Sequence, residues 1–292
     1  MLNYYLYKIK KVLTTNSNLF LIILSIIVII TIVFSVTKMF FTKNVLMAHG
    51  LGGVKINGKV YDINNTYEGF ERSYKTGIRN FEVDIMLTND NKVVAFHPYS
   101  KALYNRLNIT NINFSYEEFM SGKYFETTNL NGLRPLDLED VILLIKEYKN
   151  TKWVIHMHSM NTEEHSEIFL KEIINSKNID EDILSRISIG INYQEELNIL
   201  KKYNIENLIY TLYERDSRDE EVNTNGKLLD YLVKNKIKCV SMNKKLVNSE
   251  KKLINLLKNN NIDLMCYAEN DFINQIKLHL IGFNFIETDN LK

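Results

Sequence analysis

Phe81-Glu82-Val83-Asp84-Ile85-Met86-Leu87-Thr88-Asn89-Asp90-Asn91-Lys92-Val93-Val94-Ala95-Phe96-His97-Pro98 is the most informative stretch of the chain. Its first part alternates: Phe81, Val83 and Ile85 share one strand face, and Glu82 and Asp84 share the other. Only six residues, Leu87–Lys92, separate it from the next β-rich run, Val93–His97. A parallel crossover needs about a dozen residues, so this pair has to be an antiparallel hairpin. Asn89-Asp90-Asn91 is suitable turn chemistry.

Strand candidates lie at Val45–His49, Phe81–Met86, Val93–His97, Trp153–His158, Ile187–Ile191, Leu208–Leu212, Ile237–Met242, Leu264–Tyr267 and Phe283–Glu287. Helical patterns fall between most of them, at Glu163–Asn175, Gln194–Tyr203, Lys227–Lys236, Glu250–Asn259 and Asp271–Leu280. Alternating strands and helices indicate a parallel sheet. Setting aside the hairpin's return strand leaves eight parallel strands, the number that closes a (β/α)8 TIM barrel; an open doubly wound sheet is the weaker alternative. Residues 99–136 carry little periodicity beyond a short helix at Tyr116–Met120, and read as an excursion over one barrel end that could serve as a lid.

Leu19–Val36 is nearly unbroken hydrocarbon. Eighteen helical residues reach about 27 Å, close to bilayer thickness. No small-residue cleavage pattern follows, so the reading is an uncleaved single-pass anchor at 19–36 in the cell membrane. It is preceded by a short tail (1–18) and followed by a linker (37–44) and one barrel domain (45–292). Lys8, Lys10 and Lys11 before the segment outnumber Lys38 and Lys43 after it, which favours an extracellular domain. If extended, the linker spans about 26 Å.

With 36 basic and 35 acidic residues the formal charge is +1, which argues against a nucleic-acid partner. Two cysteines supply neither a disulfide framework nor a cysteine zinc site. Cys239 and Cys266, on the sixth and seventh barrel strands, read as buried free thiols.

In a barrel, Glu82 and Asp84 point into the core or its mouth. Two carboxylates buried together repel unless a cation or hydrogen-bond donors stabilise them, and near the mouth they read as ligands of a hard divalent cation. Counting across the turn places His97 beside Glu82. His49 ends the first strand, and Gly50, Gly52 and Gly53 after it allow close approach of a ligand.

AHGLGG at 48–53, NNTYEGF at 64–70, FEVDIMLTNDNKVVAFHP at 81–98 and IETDN at 286–290 resemble the glycerophosphodiester phosphodiesterases, barrel enzymes with the same hairpin. The resemblance implies a metal-dependent phosphodiesterase. Glu82 and Asp84 would hold one divalent cation (magnesium, calcium or manganese), and His49 and His97 would form a general acid/base pair. It further implies a glycerophosphodiester or lipid-headgroup substrate. The departures fall on charge. Gly50 stands for the family arginine, Asn64 for a glutamate, Pro98 for an aspartate, and Tyr267-Ala268-Glu269-Asn270 for Trp-Thr-Val-Asn. Ile155-His156-Met157-His158 replaces Ile-Glu-Ile-Lys. Alternation sends Trp153, Ile155 and Met157 outward and His156 and His158 inward. His156 is then the expected third metal ligand, softening the site toward transition metals. His158 is the expected phosphate contact, and Tyr267 joins it as substrate-binding. The rival is a barrel that binds a phosphodiester without turning it over, favoured by the missing Arg and Lys.

Overall fold

The structure is a computed structural model and describes residues 4, 5, 7, 17–61, 65–97, 113–122, 132–158, 163–191, 194–203, 205–212, 224–267 and 269–289. It divides into two compact units between Thr42 and Lys43.

The first unit is dominated by the helix Ser17–Asn44. Within Leu21–Asn44, an 18-residue window has a mean hydropathy of 2.6 and none of that window is buried. Among the described residues it is the one helix long and apolar enough to cross a membrane. Ser25 and Thr31 return their hydroxyls to the carbonyls of Leu21 and Ile27, so neither leaves a polar group unpaired on the apolar surface. Residues 37–44, expected as a linker, are helical.

The second unit is a closed parallel barrel. Its strands are β1 (Leu46–Ala48), β4 (Asn80–Leu87), β6 (Lys152–His158), β7 (Ile187–Ile191), β8 (Leu208–Leu212), β9 (Cys239–Asn243), β10 (Asp263–Tyr267) and β11 (Phe285–Thr288). β1 pairs with both β4 and β11, which closes the ring. The eight-stranded (β/α)8 expectation therefore holds, and the open sheet does not.

β5 (Val93–Ala95) returns antiparallel beside β4. In the turn, Asn91 has φ 58°, Thr88 N–H donates to the Lys92 carbonyl, and Thr88 Oγ1 bonds Asp90 Oδ1 at 2.6 Å. One expectation is corrected here. Ile85 pairs with Ala95 and Leu87 with Val93, so the ladder continued to His97 would reach Val83, not Glu82. The turn is centred on Asp90 itself, with residues 88 and 92 opposed, and the count shifts by one.

A second hairpin, β2 (Val54–Ile56) with β3 (Lys59–Tyr61), was not anticipated. Its turn is Asn57-Gly58, both with positive φ (50° and 81°), the two-residue pattern that suits strand twist. Val54 and Tyr61 pack with Val94, Phe96, Phe114 and Phe119. That cluster holds the described part of the 99–136 excursion against β5; the rest of the proposed lid lies outside the described residues.

The outward face of β4 and β6 explains why those strands sit where they do. Phe70 on the helix Tyr67–Lys75 lies 4.8 Å from Phe81 and 5.5 Å from Trp153, ring centre to ring centre. All three are fully buried, each contributing about 1.5–3 kcal/mol or more by leaving water. Opposite them, Met47, Val154, Ile209, Cys239 and Met265 fill the barrel interior with Phe285 packed against them. Cys239 and Cys266 are free and buried, as expected. The apolar floor beneath and the helices outside leave the upper interior positions to the site.

Candidate active site

Three neighbouring strands assemble the site. Asp84 on β4 is level with His156 on β6, and His156 is level with Gly190 on β7. Parity then sends Glu82, Asp84 and His156 into the barrel, where one ligand atom from each lies within 4.8 Å of the others. A cavity of about 360 Å³ opens above the apolar floor. His49, Glu82, Asp84, His97, His156 and Tyr267 all line it, so six of the seven expected residues converge. The seventh, His158, is level with Met86 on the β6 backbone, and its side chain lies outside the described residues.

The carboxylates are held differently. Asn65, at φ 49°, clasps Asp84 from two sides: its amide donates to Asp84 Oδ2 (3.0 Å) and its carbonyl oxygen accepts from Asp84 N–H (3.0 Å). Gly50, at φ 51°, donates its N–H to Glu82 Oε2 at 2.6 Å. That left-handed turn is where the glycine is needed, because it aims the amide back at the carboxylate. Glu82 Oε1 is buried and has no hydrogen-bond partner. Burial, the neighbouring Asp84 charge and Glu287 push the Glu82 pKa well above its ordinary value, against the pull of His49 and the Gly50 N–H. An orphaned carboxylate oxygen beside a second carboxylate and an imidazole fits a divalent cation, which would satisfy all three at once.

Two further acids, not singled out from the sequence, flank His49. Asp289 Oδ1 bonds His49 Nδ1 at 2.8 Å, and Glu287 Oε2 lies 3.9 Å from His49 Nε2. Asn270 anchors Asp289 by donating to Oδ2 (2.8 Å) and accepting from the Asp289 N–H (2.8 Å). Burial disfavours a charged His49, but the Asp289 hydrogen bond and the charges of Asp289, Glu287 and Glu82 outweigh it, and its pKa stands well above the usual value. Burial chiefly pushes Glu287 up to about 7, opposed by His49 and aided by Asp84 and Asp289. The signal that could have found them is the same alternation seen on β4: in Phe285-Ile286-Glu287-Thr288-Asp289 the acids share the inward face.

Gly190 has a local role. A Cβ there would come within 3.3 Å of His156 Cδ2. Gly190→Ala is therefore expected to displace the imidazole and weaken cation affinity about tenfold, the lower range for residues that support ligands. Calorimetric titration with manganese measures this, and unchanged affinity would remove His156 from the ligand set.

A closed (β/α)8 barrel with titratable side chains gathered at the carboxyl ends of its strands has the layout of a barrel enzyme. The sequence matches the glycerophosphoryl diester phosphodiesterase family over residues 55–292, and the chain belongs to that family of phosphoric diester hydrolases. The fold is similar to a glycerophosphodiester phosphodiesterase from Parabacteroides distasonis, with 17% identity, TM-score 0.63, and 85% of this chain and 94% of that one covered. It is likewise similar to an Oleispira antarctica phosphodiesterase in complex with its product sn-glycerol-3-phosphate, with 14% identity, TM-score 0.64, and 86% and 95% covered. A Thermotoga maritima glycerophosphodiester phosphodiesterase gives 16% identity, TM-score 0.60, and 85% and 95% covered. A comparison with curated proteins finds no match.

Proposed function

We propose that the chain is a membrane-anchored, metal-dependent phosphodiesterase hydrolysing a glycerophosphodiester or a related lipid headgroup. The observation that carries the reading is the charge of the cavity. Glu82, Asp84 and Glu287 line it, and among its described lining residues there is no Lys or Arg. A phosphodiester anion meeting those acids alone would be repelled. Glu82, Asp84 and His156 would hold a divalent cation, which would offset that repulsion. When bound, the cation would neutralise the phosphate and the charge that develops during displacement. Two carboxylates with one imidazole suit manganese, iron or zinc better than an all-oxygen calcium site.

The chain's own groups do the proton work. His49, tied at Nδ1 to Asp289, keeps Nε2, 3.9 Å from Glu287 Oε2, as the nitrogen that would give its proton to the leaving oxygen. His97 takes the proton of the attacking hydroxyl or water, and the P–O bond to the leaving group breaks as the new one forms. His158 and Tyr267 would hold the phosphate and glycerol. The product held by the Oleispira relative supports the substrate class. Helix Leu21–Asn44 supports a single membrane span, and the lysine excess before it supports an extracellular barrel.

The test is turnover of a panel of glycerophosphodiesters by the full chain in detergent, with and without manganese. The expected result is cation-dependent release of glycerol phosphate. Cation-independent binding without turnover would favour the non-catalytic barrel instead.

A further inference from the structure

The helix Phe272–Ile281 is built the wrong way round for a barrel helix. Its sequence, Phe-Ile-Asn-Gln-Ile-Lys-Leu-His-Leu-Ile, has six large apolar residues, yet its buried positions are Gln275 and Leu278. Gln275 is committed inward, donating to the Glu269 carbonyl (2.8 Å) and Thr288 Oγ1 (3.0 Å). Phe272, Ile273, Ile276, Leu280 and Ile281 face outward, with Ile273 61% and Leu280 77% exposed. The neighbouring helix Lys251–Asn259 shows the ordinary arrangement, with Leu253, Ile254 and Leu257 buried. Among the described residues of the barrel, the other exposed large apolar side chains are Leu143, Leu184 and Val233, on three separate helices. Scattered apolar residues need no explanation; a contiguous ridge on one helix does.

Beside the ridge runs a groove of about 690 Å³ carrying Lys244, Lys245, Lys251 and Lys277. Its one carboxylate, Glu269, is buried and already engaged, accepting from Asp271 N–H at 2.8 Å and lying 4.0 Å from Lys244 Nζ. An apolar ridge flanked by four lysines, of which Lys244 pairs with Glu269, is complementary to a surface of anionic headgroups over acyl chains. Connectivity points the same way. Ile281 leads through Gly282–Asn284 into β11, β11 pairs with β1, and Asn44 stands two residues before β1. The end of the ridge and Asn44, at the start of the barrel unit, thus belong to the same rim.

We infer that the outer face of helix Phe272–Ile281, with Lys244, Lys245, Lys251 and Lys277, docks the barrel on an anionic lipid surface. The inference rests on the membrane-anchor part of the reading above and adds a second, charge-selective contact to it. Barrel helices run alongside the strands, so docking along the ridge lays the barrel on its side. The Phe272 end, which follows Tyr267 of the site by five residues, then meets the headgroup layer at the mouth.

The test uses the full chain carrying Leu280→Cys, labelled with a polarity-sensitive dye. The native thiols are buried and their pKa values raised by that burial, so they compete poorly for the label. The chain is placed in nanodiscs of phosphatidylcholine alone or mixed with phosphatidylglycerol, and emission is read before an alkaline wash. The expected result is a blue shift in the phosphatidylglycerol discs that salt weakens. Lys244→Glu/Lys245→Glu/Lys251→Glu/Lys277→Glu together, or Ile273→Glu, should abolish it, and a label at Leu184→Cys should not respond. Equal emission in both lipids would overturn the inference while leaving the anchor intact. Release of the chain by the wash would remove the anchor reading alone. A blue shift in detergent that grows with protein concentration would assign the ridge to a second copy of the chain and overturn lipid docking.

Discussion

Glu82→Gln combined with Asp84→Asn should abolish divalent-cation binding and lower turnover by at least about 10³-fold, while the cation-free protein becomes more stable. The two effects have one cause. Glu82 Oε1 is buried without a hydrogen-bond partner, and Glu82 faces Asp84 and Glu287 in a space where charge is poorly solvated. A carboxyl whose pKa is raised on folding binds its proton more tightly in the folded state. Its penalty is absent below the ordinary value of 4.5 and grows as pH rises through the raised value. Glu287, up to about 7, adds a penalty of the same sign that is complete only above neutrality. Cation-free wild type should therefore lose stability between about pH 5 and 8, and the double variant should lose less. Its melting temperature in chelator at pH 8 is expected to rise by about 2–4 °C for each kcal/mol of repulsion removed. Added manganese should stabilise wild type and leave the variant unmoved. Undiminished calorimetric binding by the variant would take both residues out of the site.

Much of this arrangement is legible in the amino-acid sequence, for a simple reason. Strand parity is a local property, so Phe81–Ile85 and Trp153–His158 each declare which side chains turn inward, and closing eight strands brings those faces together. Register is less accessible. The pairing of Asp84 with His156 depends on how β4 and β6 slide past each other, and the position of His97 differs by one residue from the count because the turn's hydrogen bonds centre on Asp90. The Asn57-Gly58 hairpin and the inward pair Glu287 and Asp289 carry recognisable local signals, a two-residue turn and an alternating strand end. The outward ridge on Phe272–Ile281 is different in kind. Apolar periodicity finds a helix but cannot say which face is buried, and here Gln275 takes the inner position by bonding Glu269 and Thr288. The extent of the N-terminal helix is hidden too, since hydropathy ends near Val36 while backbone hydrogen bonding continues to Asn44.

The family departures form a pattern. In the sequence, the family's arginine and lysine give way to Gly50 and His158 and one glutamate to His156, so permanent charge is exchanged for imidazoles, whose ordinary pKa lies near neutrality. Activity in this chain should consequently depend on pH more steeply than a site built on Arg and Lys would.

His49→Ala and His97→Ala should each cost about 10²–10⁴-fold in turnover with modest change in substrate affinity, the range for loss of a positioned acid or base. The two losses should differ in their pH signature. His49 is tied to Asp289 and surrounded by Glu287 and Glu82, and its pKa is held well above the ordinary imidazole value, which supports the proposed role of proton donor. As the proposed acid, it would set the alkaline limb of the profile, and Asp289→Asn should draw that limb toward neutrality. The Asn side chain can still hydrogen-bond the ring, but it no longer stabilises the imidazolium, so a larger effect on turnover than on affinity is expected. His97 would set the acid limb, because it must be neutral to accept a proton. The check is a full pH–rate profile of wild type, Asp289→Asn and the two alanine variants at saturating manganese. An alkaline limb that stays in place when Asp289 is replaced would reverse the assignment of acid and base between the two histidines. Full activity in either alanine variant would exclude that histidine from the pair.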